Sequence, residues 1–372
     1  MPNFEEFPNL EQLNLAGCVK LVKLDPSIGL LRKIVYLNLQ DCSSLISIPN
    51  TIFGMSSLKY INMSGCSKLS FNNQWASHSQ STSPSFGITF PVGFIIPSLP
   101  LQRKAEWLYC LSEIDISFCG LSQLPDAFGC LRQLQRLNLG GNYFVSLLSL
   151  KELSKLVYLN LDHCMFLESL PQLPFPTATI NWDLGINKFP GKIGLQIFNC
   201  PKLGERECSI AFSWLTQFIQ ANPQCSHAID IVIPGSEIPS WFNNQSKGDT
   251  ILIDYSPIKH DINNHIIGLV CCSLFSVAPT NHSINQLNIE LHLTGFYLDG
   301  PVDMFPTQNH QNDLTIVYGG HLIKIITNFP RKLSWYVPDF HGIMDVKFVN
   351  CHHFWVSTAV KNCGYGWDKQ DL

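Results

Sequence analysis

The chain has 372 residues, long enough for two ordinary domains, and its 45% hydrophobic and 14% charged residues are typical of a globular protein. The net charge is only -4, and the 24 Lys and Arg residues are scattered, so no basic surface for nucleic acid is indicated. The sequence contains neither a secretory signal nor the run of about 18 apolar residues that a membrane-spanning helix requires. We therefore expect an intracellular protein, cytoplasmic or nuclear, with no membrane span.

A nine-residue pattern recurs along the N-terminal half. Residues 34–42, IVYLNLQDC, follow the L-x-x-L-x-L-x-x-N/C core of a leucine-rich repeat. The copies begin at Leu10, Ile34, Leu58, Leu111, Leu134 and Leu156. The offsets of 24, 24, 53, 23 and 22 residues indicate one insertion and otherwise agree with a period of about 20 to 29 residues. The pattern predicts an α/β solenoid of leucine-rich repeats over residues 1–203, in which GLQIFNCPKL, residues 194–203, is a last, degenerate repeat. Because the chain opens almost directly on a repeat without a convincing cap, we expect it to be the C-terminal piece of a longer protein.

The ninth position of the repeat holds Cys or Asn, which we expect to close the turn onto the neighbouring backbone. Five of the 14 cysteines occupy this position and are predicted to be buried packing residues: Cys18, Cys42, Cys66, Cys119 and Cys164. Cys271 and Cys272 are adjacent in a predicted strand and point to opposite faces, which disfavours a shared metal. Cys351, His352 and His353 have no second pair at zinc-ligand spacing. We predict neither a metal nor a cofactor.

Two variable columns of the repeats should line the concave face. The fifth position holds Asn14, Asn38, Asn62, Asp115, Asn138 and Asn160, which we interpret as a solvated ladder. The third position holds Gln12, Tyr36, Tyr60, Glu113, Arg136 and Tyr158. Tyr and Arg are enriched at protein-binding hot spots. Tyr36, Tyr60, Arg136 and Tyr158 are therefore candidate protein-binding residues, with the three tyrosine rings expected near one exposed surface.

Three segments depart from the repeat. Residues 70–107 are a polar, Ser-rich and then Pro-rich insertion, either a loop on the binding face or, as its composition favours, a tolerated disordered loop. Residues 204–226 contain apolar residues at helical spacing and are predicted to be a helical connector. From residue 227 to 372, short strand-like segments separated by Pro, Gly and Asn predict an all-β antiparallel sandwich of jelly-roll type. Gly319 and Gly320 between two such segments predict a hairpin turn.

Residues 231–255, IVIPGSEIPSWFNNQSKGDTILIDY, carry a specific motif, Pro-Gly-x-Glu-Ile-Pro-x-Trp-Phe. Together with the repeats, this motif resembles the C-terminal part of plant intracellular disease resistance receptors of the TIR, nucleotide-binding and leucine-rich-repeat class, whose post-repeat domain is a jelly-roll (C-JID) sandwich. The resemblance implies that the repeats and the sandwich bind a pathogen effector or a guarded host protein in defence signalling. It also implies upstream TIR and nucleotide-binding domains as partners. Asp261 and His265 then become candidate binding residues in a sandwich loop.

The sequence lacks a G-x-x-x-x-G-K-[ST] phosphate loop and a G-x-G-x-x-G motif after a strand. Asp261 with His265, and His352 with His353, could supply acid–base chemistry, but neither pair has a third catalytic member. We therefore predict that the chain is not an enzyme. The alternative is a carbohydrate-binding or other ligand-binding protein without immune signalling, in which Trp241, Trp335 and Trp355 would stack on sugars.

Overall fold

The computed structural model describes much of the repeat region, one helix and a set of C-terminal strands. The described residues are 4–49, 51–52, 55–71, 110–125, 128–129, 131–175, 193–197, 199–221, 228–234, 238, 242, 244–247, 250–254, 266–277, 289–293, 296–297, 318–327, 343–350 and 358–369. The chain divides into two compact units, Met1–Leu156 with Pro171–Pro174, and Val157–Leu170 with Phe175–Leu372.

The first unit is a stack of parallel strands, one from each repeat. They are β1 (Gln12–Asn14), β2 (Tyr36–Asn38), β3 (Tyr60–Asn62), β4 (Glu113–Asp115) and β5 (Arg136–Asn138). Each strand pairs with the next in register, so that equivalent positions of successive repeats lie side by side. Strand β3 pairs directly with β4. The two repeats that are 53 residues apart in sequence are therefore neighbours in the sheet. Most of the predicted insertion, residues 72 to 109, lies outside the described residues, and the insertion at 70–107 stays a prediction.

The inward Leu positions and the return segments form the core of this unit. Leu37, Leu39 and Leu45 are completely buried, and so are Ile28 and Ile52 of the return segments. Ile28 lies in a 3-10 turn, Pro26–Leu30, whose N-terminus is capped by the Asp25 side chain accepting from the Ser27 N–H at 2.9 Å. Truncating one buried Leu of this kind to Ala typically costs about 2 to 5 kcal/mol. The packing confirms the inward face that the repeat pattern predicts.

Hydrogen bonds from the ninth position join each repeat to the one before it. The Sγ atoms of Cys42, Cys66 and Cys119 donate to carbonyls of the preceding repeat at 3.2, 3.2 and 3.1 Å. Asn142 replaces the thiol in the fifth repeat and donates from Nδ2 to the Ile116 carbonyl at 2.9 Å. The predicted closure of the turn onto neighbouring backbone is confirmed. The expectation that Cys18 is buried is wrong, because β1 pairs on one side only among the described strands and leaves this thiol exposed.

The eighth position of every described repeat has a left-handed backbone, which lets the chain turn out of the strand. Its φ angles are +73° at Gly17, +59° at Asp41, +75° at Gly65, +55° at Phe118, +67° at Gly141, +61° at His163 and +55° at Asn199. Gly, Asn, Asp and His adopt this conformation most readily. Phe118 is the exception, and the left-handed conformation costs a residue with a Cβ roughly 1 to 2 kcal/mol.

The second unit begins with two further repeat strands, β6 (Tyr158–Asn160) and β7 (Ile193–Gln196), which pair in parallel. Cys200 donates from Sγ to the Leu161 carbonyl at 3.2 Å, so the degenerate last repeat is confirmed. Helix α1 (Glu205–Ala221) follows, as predicted, and buries Ala211, Trp214 and Phe218. The Glu207 carboxylate accepts a hydrogen bond from the Leu170 N–H at 2.8 Å and joins the helix to the end of the sixth repeat.

The remaining strands form the C-terminal part of the second unit. They are β8 (Ala228–Pro234), β9 (Asn244–Lys247), β10 (Thr250–Asp254), β11 (Ile266–Val277), β12 (Ile289–Leu293), β13 (Phe296–Tyr297), β14 (Tyr318–Thr327), β15 (Ile343–Asn350) and β16 (Thr358–Lys369). One sheet has the order β6-β7-β8-β14-β11-β16-β9 and the other β10-β15-β12-β13. Every pairing after β8 is antiparallel. The packing of these two sheets into a sandwich stays a prediction.

The predicted hairpin turn at Gly319 and Gly320 is wrong. Both glycines lie inside β14, where Gly319 pairs with Ser276 and Gly320 with Phe275 of β11. Gly320 also pairs with Pro234 of β8 on the other side. Backbone pairing on two sides outweighs the local turn preference of a Gly-Gly pair.

Replacing Asn142 tests the ladder of the ninth position. Asn142 accepts hydrogen bonds from the N–H groups of Cys119 and Leu121 at 3.2 and 3.0 Å and donates to the Ile116 carbonyl. Asn142→Leu should lower the free energy of unfolding by about 2 kcal/mol or more, because buried backbone groups lose their partners. Asn142→Cys should cost less, since a thiol makes the bond to the preceding carbonyl in other repeats. Urea denaturation measures both losses, and equal losses would contradict the role of the ladder.

Candidate interaction surface

The third-position column of the first unit changes from open to buried along the sheet. Gln12 is exposed and Tyr36 is half-buried, whereas Tyr60 is only 3% exposed. Glu113 and Arg136 are also buried. The expectation of an exposed ring is therefore wrong for Tyr60, and the accessible part of the column lies in the first two repeats. The physical reason is packing, because in-register parallel strands hold equivalent side chains about 4.8 Å apart, close enough to cover one another.

Tyr36 and Tyr60 form a stacked pair. Their ring centroids are 4.7 Å apart and their planes differ by 4°. The Tyr60 hydroxyl is buried and has no hydrogen-bond partner among the residues that the structure describes. Burial raises the pKa of Tyr60 well above its usual value, and the nearby Asp115 carboxylate adds to this shift. The hydroxyl is therefore neutral at any physiological pH.

Glu113 and Arg136 form a buried ion pair between β4 and β5. The Arg136 Nη1 atom lies 3.1 Å from Glu113 Oε1. Burial raises the pKa of Glu113 to about 7, although the Arg136 guanidinium beside it acts to lower that pKa. Arg136, a predicted binding residue, is buried in this pair, which was not predicted. The signal for it was present, because opposite charges one repeat apart at the same position must meet when the strands are in register.

The fifth-position column has a structural role. In each repeat of the first unit, its side-chain oxygen accepts a hydrogen bond from the backbone N–H two residues further on. These distances are 3.1 Å for Asn14, 3.0 Å for Asn38, 2.9 Å for Asn62, 3.0 Å for Asp115 and 3.1 Å for Asn138. The interpretation as a solvated ladder is wrong for all of them except the exposed Asn14. Such Asx turns end the strand and fix its length at three residues.

In the second unit, Tyr158 is 1% exposed, so the expectation of an exposed ring is wrong here as well. Its hydroxyl donates to Gln196 Oε1 at 3.1 Å, which satisfies the buried polar atom within the same unit. Asp261 and His265 lie outside the described residues, and so do Trp241, Trp335, Trp355 and the His352–His353 pair.

Two features are absent from the part of the chain that the structure describes, a metal-binding cluster and a membrane-spanning helix. It contains no group of three or more His, Cys, Asp or Glu side chains placed to hold a metal ion. None of its helices has both the length and the apolar character needed to cross a membrane.

Comparison with known protein families defines the class. The sequence profile of the C-JID domain matches residues 233–365, and that of the leucine-rich repeat matches residues 110–131. The chain thus combines leucine-rich repeats with a C-JID domain, as the resemblance implied.

Individual proteins of plants are also similar to the chain. The chain is 27% identical over 222 residues to the disease resistance-like protein DSC1 of Arabidopsis thaliana. This alignment covers 53% of the chain and 18% of DSC1. It is 28% identical over 205 residues to the disease resistance protein RPP2B and 24% identical over 208 residues to RPS4, both of the same plant. Each of these two alignments covers 48% of the chain and 17% of the relative. The chain is similar to these disease resistance proteins of Arabidopsis thaliana and spans less than a fifth of their length.

The Glu113–Arg136 pair makes stability depend on pH. The folded-state pKa of Glu113, about 7, lies above the ordinary value of 4.5, so the folded chain holds an extra proton between these pH values. The contribution of Glu113 to the free energy of unfolding therefore falls as the pH rises from 4.5 to about 7. Arg136→Met removes the guanidinium that favours the charged carboxylate and should cost about 3 to 5 kcal/mol at about pH 8, where the wild-type carboxyl is charged, and clearly less at about pH 5.

Urea denaturation at the two pH values measures this difference. Arg132→Met is the matched control, because Arg132 is an exposed arginine of the same repeat region and should show a small effect that does not change with pH. An equal loss at both pH values in Arg136→Met would exclude Glu113 as the titrating group.

Proposed function

We propose that the chain is the recognition region of a plant immune receptor and binds a pathogen effector or a guarded host protein. The observation that carries the proposal is the presence, in one chain related to disease resistance proteins, of leucine-rich repeats and a C-JID domain. In a receptor of this class the chain would work beside TIR and nucleotide-binding domains, inside the cell. Its own contribution would be binding rather than catalysis.

The accessible concave positions support a contact on the first two repeats. Gln12 and Asn14 are exposed, and Tyr36 and Gln40 are half-buried. The stack on Tyr60 holds the Tyr36 ring in one orientation, so a partner would lose little entropy in ordering it. Tyr is also among the residues that most often carry binding energy at protein interfaces. A second contact through the sandwich loop of Asp261 and His265 stays part of the proposal.

Direct binding tests this function. The full chain is measured by biolayer interferometry against a set of purified effector proteins from plant pathogens. At least one effector should bind, and Tyr36→Ala should weaken it roughly thirtyfold, because a tyrosine anchor contributes about 2 kcal/mol or more. Arg32→Ala is the matched control, since Arg32 is exposed on the return segment of the preceding repeat and its loss should leave affinity unchanged.

Two outcomes separate the contacts. An effector whose affinity is insensitive to Tyr36→Ala but falls in an Asp261→Ala, His265→Ala double variant would move the binding site to the sandwich loop. Failure of every effector to bind the folded chain directly would leave the guarded host protein as the partner. Insensitivity to all of these variants would reject both proposed contacts.

The absence of an enzyme activity is a separate proposal. The sequence has no glycine-rich loop at a helix N-terminus that would offer amide donors to phosphate groups. We therefore expect the full chain to bind neither ATP nor NAD. Isothermal titration with each nucleotide checks this, and micromolar binding of either one would refute it.

A further inference from the structure

The turn at the eighth position of the fourth repeat carries an unexpected residue. Phe118 has a φ of +55° where the other described repeats have Gly, Asp, His or Asn. A bulky residue in the left-handed region is strained, and such strain persists only where the surrounding structure holds it. Here the Phe118 N–H donates to the Gly140 carbonyl of the next repeat at 2.8 Å, which fixes the strained backbone.

Two aromatic rings and two glycines interlock at this turn. The Phe118 ring lies over Gly141, where an added Cβ would come within 2.3 Å of two ring carbons. In the reverse direction, Tyr143 of the fifth repeat lies beside Gly120 of the fourth, 3.9 Å from where a Cβ would be. The Tyr143 N–H donates to the Leu121 carbonyl at 2.8 Å. Each ring therefore lies beside a glycine of the neighbouring repeat.

These rings remain accessible. Tyr143 is 55% exposed and Val145 is 50% exposed, while Phe144 between them is completely buried and anchors the segment. Phe118 is half-buried, so its strain is only partly offset by burial. An accessible pair of aromatic side chains beside the backbone of a neighbouring repeat has the composition of a binding hot spot.

The absence of charged residues from the two chain segments that carry the rings indicates the kind of partner. Neither turn segment contains a charged residue, from Ser117 to Leu124 or from Gly140 to Leu150. A charged partner would lose hydration here without gaining a counter-ion. An apolar, uncharged segment gains from both rings, and the Tyr143 hydroxyl can remain hydrated at the edge of the contact.

We propose, resting on the recognition function above, that Phe118, Tyr143 and Val145 form an aromatic rim that binds an apolar, uncharged segment of a protein partner. The rim is a second contact besides the concave face. The strain at Phe118 is retained because only an aromatic side chain at this turn can place a ring over Gly141, two residues from Tyr143.

Phage display of random peptides on the full chain tests the rim without a known partner. The probe is a library of peptides of about 12 residues, and enriched peptides are synthesised and measured by biolayer interferometry. We expect the enriched sequences to be apolar and uncharged. Their affinity should fall at least about tenfold in Phe118→Asn and in Tyr143→Ser. Asn fits the left-handed turn, as at Asn199, so Phe118→Asn should have an unfolding midpoint at or above that of the wild type.

Asp41→Asn is the matched control, because Asp41 occupies the eighth position of another repeat and has the same left-handed backbone. It should change neither peptide binding nor stability. The proposal is overturned if no peptide is enriched, if enriched peptides are charged, or if they bind either rim variant as well as the wild type. A lower unfolding midpoint in Phe118→Asn, with peptide binding unchanged, would assign the ring a purely structural role.

The rim and the proposed function can fail separately. Effector binding that depends on Tyr36, without peptides directed at the rim, would retain the recognition function and reject the rim. Peptides directed at the rim, with no effector or host partner bound by the chain, would retain the rim as a binding site and reject the receptor role.

Discussion

The bond between the ninth position of one repeat and a backbone carbonyl of the preceding repeat is the constraint on which the first unit depends. Each repeat buries Leu side chains that it could not cover alone, so the stack is stable only if neighbours keep a fixed distance and register. The thiols of Cys42, Cys66 and Cys119 and the amide of Asn142 impose that register at the turn. A buried thiol or amide is tolerated there because its donor is satisfied by a carbonyl of the preceding repeat.

Register has direct consequences for surface chemistry. Since equivalent positions are about 4.8 Å apart, each column behaves as a row of contacting side chains rather than as independent residues. Tyr36 stacks on Tyr60 and Glu113 pairs with Arg136 for this reason alone. A column of this kind is rigid, which favours binding at its accessible residues, Gln12 and Tyr36. It also buries its central members, which then determine stability and its pH dependence.

Periodicity was sufficient to predict the repeat strands, the burial of four of the five ninth-position cysteines and helix α1, because each depends on local apolar spacing. Exposure of the third-position residues was not predictable in the same way. Whether Tyr60 or Tyr158 is buried depends on the side chains and chain segments that pack around it, and these are not encoded in a nine-residue pattern. The turn predicted at Gly319 and Gly320 failed for a related reason, since pairing with β8 and β11 is a non-local property. The strain at Phe118 could be suspected only by comparing the eighth position across repeats.

The positions of a repeat have different structural requirements. This difference explains how the binding residues can vary while the fold is kept. The fifth position needs only a side-chain oxygen for its turn, and Asp115 supplies it as well as the asparagines do, at 3.0 Å. A charge can therefore enter this column without breaking the strand end. The eighth position needs a left-handed backbone, and at the third position side chains contact side chains of neighbouring repeats, as in the Tyr36–Tyr60 stack and the Glu113–Arg136 pair. Residues there can change in size and charge at a cost limited to local packing or strain, as Tyr36 and Phe118 illustrate. The ninth position has no such freedom, because its donor must reach a carbonyl of the preceding repeat. A solenoid built in this way can alter its binding surface one residue at a time while the hydrogen bonds between repeats remain intact.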